Sequence, residues 1–159
     1  MTKDDLDLAF ALADQGVWSP DMVLLRFVEA VHTVRALPEK HRPREVRSVM
    51  PSFIDENPEK PRRPIPKDAI DRMEEAMNWY ADLCRHDVKR SWALALWVYS
   101  EARNGKFSLK KAASRLGVSP PTLHYRQTLA CEEISDRLQT QKIIVRQPDY
   151  DMTFHRAVK

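Results

Sequence analysis

A chain of 159 residues with 43% apolar and 31% charged side chains is long enough for one domain with its own core, and too apolar to be a disordered tail. Its three glycines, Gly16, Gly105 and Gly117, are too few for a many-turned sheet or a glycine-rich phosphate loop, so an all-α fold is expected. The net charge of +3 excludes little, but its distribution is informative: residues 1–19 hold Lys3 against Asp4, Asp5, Asp7 and Asp14, while residues 105–128 hold Lys106, Lys110, Lys111, Arg115 and Arg126 and no acid.

Residues 1–19 read as an acidic segment with a short helix over 4–13, broken at Gly16. The apolar run Leu8 to Ala13 is too short for a signal peptide, and no run approaches the ~20 apolar residues of a membrane span. A cytoplasmic protein without membrane contact is expected. Ser19-Pro20-Asp21 is a helix start, with serine as cap and proline at the first position. Val23, Leu24, Phe27, Val28, Val31 and Val34 then recur at helical spacing, which predicts a helix over 20–36 with Arg26, Glu29 and Arg35 largely on its other side.

Seven of the eleven prolines fall between Pro38 and Pro66 and predict an extended, locally basic connector, with Met50, Phe53 and Ile54 available to pin it to the core. A helical domain over 67–139 follows. Its first helix, about 67–85, carries the stripe Ile70, Met73, Met77, Tyr80 and Cys84; its second, about 87–104, turns Val88, Trp92, Ala95, Leu96 and Tyr99 inward and stops at Asn104-Gly105. Trp79, Trp92 and Trp97 read as core, and Cys84 and Cys131 as buried free thiols. Residues 140–159 form a C-terminal arm, strand-like at Ile143 to Val145.

The informative stretch is 108–129. Ser108 can cap a short helix with Leu109, Ala112, Ala113 and Leu116 inward; Gly117 stands where the chain turns sharply; Ser119, Pro120 and Pro121 open a second helix with Leu123 inward. A small residue, four steps to a glycine, then an apolar residue six further on is the helix-turn-helix pattern. In that geometry the second helix enters the major groove of DNA. Ser119, Pro121, Thr122, His124, Tyr125, Arg126 and Thr128 are the base-reading candidates, with Arg126 able to bond guanine twice. Lys106, Lys110, Lys111 and Arg115 are the phosphate-contacting candidates. Ala130, Ile134 and Leu138 continue the stripe, interrupted by Gln127, and can pack on the earlier helices or form the seam of a homodimer. Glu132, Glu133 and Asp136 come only in the distal half.

The helix from Met22 to Pro38, the stretch Pro66 to Trp79 and the motif from Lys110 to Arg126, taken in that order, resemble a family of small, uncharacterised helix-turn-helix proteins encoded by bacteriophages and prophages of Proteobacteria. The C-terminal half also resembles region 4 of bacterial sigma factors. The resemblance covers roughly residues 20–139 and implies a phage or prophage setting and a sigma-region-4-like ending to the fold.

The expected function is sequence-specific binding of double-stranded DNA by a transcriptional regulator. Three alternatives stay open: a sigma-like or antitermination factor that also binds RNA polymerase, a terminase small subunit, and a protein-interaction module that no longer touches DNA. An enzyme is not expected. His32, His41, His86, His124 and His155 are scattered without metal-ligand spacing, there is no Cys-x-x-Cys, and no metal or cofactor is implied.

Overall fold

The central helix is the one that Ser19, Pro20 and Asp21 start: the Ser19 side chain accepts from the Met22 amide at 3.1 Å, and the helix runs Pro20–Ala36. The computed structural model describes residues 3–37, 65–102 and 108–149. The proline-rich connector with Met50, Phe53 and Ile54, the Asn104-Gly105 stop, Lys106 and everything beyond Asp149 lie outside the described residues.

Those described form six helices and no strand, an all-α fold: α1 (Lys3–Asp14), α2 (Pro20–Ala36), α3 (Lys67–His86), α4 (Val88–Ala102), α5 (Leu109–Arg115) and α6 (Pro120–Thr140). Helix α2 packs against α1, α3, α4 and α6, which explains why Met22 to Val31 are all buried on every side with His32 the first half-buried residue after them. A helix surrounded on all faces needs an apolar circumference, not a stripe. Leu25, Phe27, Met73, Leu83, Leu94, Val98, Ile134 and Leu138 meet in this main core. The stripe of α6 is therefore buried within the chain, against α2 and α4.

Two expectations fail here for one reason. Arg26 and Glu29, placed by periodicity on a solvent face, are completely buried, because α2 has no solvent face at its centre. Their charges are matched instead. The Arg26 guanidinium donates to the Arg146 carbonyl (2.8 Å), the Arg72 carbonyl (3.0 Å) and Glu75 Oε2 (2.9 Å), and lies 5.1 Å from the centroid of the Trp79 ring. Glu29 accepts from Arg72 through Nε (3.0 and 3.1 Å) and Nη2 (2.7 Å), and from the Asp149 amide (2.8 Å). Arg146 closes the ring onto Glu75. Burial pulls the Arg26 guanidinium down to about 9, against the upward pull of Glu29, so it stays cationic at neutral pH.

On α4, Val88 and Trp92 were expected inward and are 56% and 44% exposed. Only Asp87 separates α3 from α4, and the outer stripe of α4's first turns stays uncovered while Leu94 and Val98 face the main core. Trp79 is core as expected, and Trp97 is half-buried. Both cysteines are free; Cys131 is buried and Cys84 half-buried. Burial pushes the Cys131 thiol up to about 12.

Residues 141–149 contain no strand: they run irregularly back over α2, fixed where Trp18 Nε1 donates to the Ile143 carbonyl (2.8 Å) and by the Arg26 and Glu29 contacts, with Ile144 left 82% exposed. This strap leaves α6 through a paired-amide stop, Ile143 N to Leu138 O (3.0 Å) and Lys142 N to Gln139 O (3.1 Å), which puts Lys142 at φ +54°. A side chain at positive φ costs roughly 1–2 kcal/mol, partly offset by the larger unfolded-state entropy of glycine. Lys142→Gly is expected to raise the urea midpoint at unchanged slope, by about 0.5–1 kcal/mol of stability. A lowered midpoint would show that the lysine side chain holds more than its backbone costs.

Candidate nucleic-acid interface

A second, smaller cluster holds the C-terminal helix pair in place. Ala93 and Leu96 of α4, Ala112 and Ala113 of α5 and Leu123 of α6 are buried together, sealed by Leu109, Leu116, Val118 and Trp97. Ala112 and Ala113 let α5 approach this closely because a methyl group is all that stands between the backbones; a larger side chain there would overpack the crossing.

The turn between α5 and α6 follows from Gly117. Its amide donates to Ser114 O and that of Val118 to Ala113 O, both at 3.1 Å, a double bond pattern that requires left-handed dihedrals at Gly117, found at φ +63°. A Cβ there would meet nothing within 4 Å, so it is the dihedral and not the space that selects glycine. Ser108 caps α5 by accepting from Lys111 N (3.3 Å), and Ser119 caps α6 by accepting from Thr122 N (3.3 Å). Pro120 and Pro121 sit in the first turn of α6, where no intrahelical donor is lost.

This framework presents the start of α6 outward. Pro121, His124 and Tyr125 are exposed, Tyr125 at 63%, while Thr122, Arg126 and Thr128 are half-buried around them. Ser119 is exposed too, but its hydroxyl is engaged in the cap and in a 2.8 Å hydrogen bond with Thr122 Oγ1. Lys110, Lys111 and Arg115 are exposed on α5. Glu132 and Asp136 are exposed on α6 further along than Arg126, Asp136 by more than two turns, and Glu133 is tied down by His86 Nε2 (2.8 Å) and Arg90 Nη1 (2.8 Å) at the corner between α3 and α4. The positive end of α6 is thus separated along its axis from the acidic end.

Two functional details escaped the sequence reading. Gln127, an apparent interruption of the stripe, is buried and donates through Nε2 to Cys131 Sγ at 3.3 Å, one turn on. Trp97, assigned to the core, makes an edge-on contact with the His124 ring, centroids 5.0 Å apart and planes at 61°. The i to i+4 spacing made the first pair findable; nothing in the chain signalled the second, which joins α4 to α6, with α5 between them in sequence.

Among the described residues no group of three or more His, Cys, Asp and Glu side chains could hold a metal ion, and no helix is long and apolar enough to cross a membrane. No family model matches the chain, and neither curated proteins nor solved structures yield a match.

Proposed function

We propose that the chain binds double-stranded DNA sequence-specifically through α5 and α6 and acts as a transcriptional regulator in a phage or prophage setting. The observation that carries this reading is the exposed leading end of α6. Pro121, His124 and Tyr125 project from it, Arg126 stands beside them, and Lys110, Lys111 and Arg115 flank it. A helix of 21 residues spans about 31 Å, so its leading turns can lie in a groove while the distal half stays in the body. Capping by Ser119 and the packing of Leu123 hold that end rigid before any ligand arrives, which lowers the ordering cost of binding. The setting rests on the resemblance to phage- and prophage-encoded proteins.

Selection of a binding site from random duplex DNA, followed by titration of variants, tests this. Arg126→Ala is expected to weaken the selected site by about 1–3 kcal/mol and to relax preference at one base pair, through loss of a forked contact to guanine. Equal affinity of the variant and the parent for every base at that position would contradict the assignment of Arg126.

A second reading, a sigma-like factor that also binds RNA polymerase, draws on the other end of the molecule. There α1 exposes Asp4, Asp5, Asp7 and Leu8, and Trp18 N donates to Gln139 near the end of α6, about 20–27 Å along the helix from the turns proposed to face DNA. A pull-down with purified polymerase distinguishes the two.

A further inference from the structure

Trp97 is the one described side chain that packs against both hydrophobic clusters. It is half-buried on α4, with the main core on one side and the cluster under α5 and α6 on the other. The His124 ring meets it edge-on, 5.0 Å between centroids, while remaining exposed on the second turn of α6. An exposed side chain without such a neighbour samples several rotamers and loses that freedom when it docks. A ring already resting on a tryptophan anchored in two cores has lost most of it beforehand.

We propose that Trp97 is a positioning residue for His124, and that the positioned imidazole reads a purine in the bound duplex. The assignment rests on the DNA-binding reading above. Imidazole offers one N–H donor in its neutral form and two when protonated. In the major groove, N7 of adenine and of guanine is an acceptor, whereas the pyrimidines present an amino donor or a carbonyl with a methyl group. A donor held at the place of N7 meets a C5 hydrogen or methyl group there when the base is a pyrimidine, and the thymine O4 acceptor lies away from it, so this placement favours a purine at one position without separating adenine from guanine. Arg126, with its fork, makes the finer distinction at its own position.

The test uses the full chain and the site obtained by selection, with affinity measured for all four bases at each position. Trp97→Leu keeps apolar bulk and removes the aromatic face. It is expected to lower the purine preference about fivefold at the base pair that His124→Ala affects, leaving the other positions and the salt slope as in the parent. The double variant should be no worse than His124→Ala alone, and Trp97→Phe should restore most of the preference. Uniform weakening at every base pair, or losses that multiply in the double variant, would overturn the proposal. Because Trp97 touches both cores, each variant is first checked by urea unfolding. In the free parent protein, the side-chain protons of His124 should also show a ring-current shift that Trp97→Leu abolishes, and an unchanged shift would overturn the proposal without any DNA present. A parent protein that binds no duplex removes the DNA-binding reading and this assignment with it, whereas intact binding with a uniform loss in Trp97→Leu removes this assignment alone.

Discussion

Replacing Glu29 with alanine is expected to cost about 3–5 kcal/mol of folding free energy, a large part of the ~5–15 kcal/mol that holds a domain together. The carboxylate is fully buried, holds both the Nε and Nη2 of Arg72, and accepts from the Asp149 amide. Without it Arg26 and Arg72 remain as cations packed close together, and Arg26 has no solvent into which its charge can turn. The strap should loosen as well, because one of its anchors is the Asp149 amide on Glu29. Urea unfolding measures the first effect, and amide hydrogen exchange over residues 143–149 measures the second. A companion variant separates charge from volume: Arg72→Met together with Glu29→Leu is expected to recover part of the loss, since it replaces both members of the hydrogen-bonded pair by apolar groups and avoids the desolvation cost that the pair carries, while Arg26 keeps Glu75. A cost below about 1 kcal/mol for Glu29→Ala would mean that water reaches the cluster and that it does not hold the helices and strap together.

The second large effect is on DNA. Lys110→Gln, Lys111→Gln and Arg115→Gln combined should reduce the salt slope of binding by about 2.7, at about 0.9 for each phosphate contact, and weaken binding at low salt by about a hundredfold. The loss should be equal for the selected site and for unrelated duplexes, because phosphate contacts position the protein without reading sequence. Lys110 and Lys111 are exposed, so replacing these two alone should leave stability within about 0.5 kcal/mol of the parent. If the slope is unchanged, α5 does not lie along the phosphate backbone.

The elements that punctuate themselves were legible in the chain. Ser19-Pro20-Asp21 and Ser119-Pro120-Pro121 carry their own helix starts, and Gly117 carries its own turn, because capping and left-handed dihedrals are local properties of those residues. The burial of Arg26 and Glu29 was not legible. Periodicity assumes a solvent face, and a helix at the centre of four others has none. Trp92 departs from expectation for the opposite reason, since its position on an apolar stripe does not reveal that none of the described helices covers the side of α4 that carries Val88 and Trp92. At the candidate interface, the residues on α5 and α6 were readable from spacing, while the Trp97–His124 contact depends on how α4 lies against α6 and is carried by no single segment. Lys106 and the proline-rich connector fall outside the described residues.

Fluorescence anisotropy of the intact chain on a duplex recovered by random-sequence selection, titrated from about 50 to 200 mM salt, tests the proposed DNA-facing role of α6 most directly. Convergence of the selected pool on one motif is predicted, with log affinity falling linearly against log salt at a slope of about −3.6 or steeper, as four or more neutralised phosphates require at about 0.9 each. A pool that never converges, together with affinity indifferent to salt, would mean that the exposed end of α6 serves some partner other than DNA.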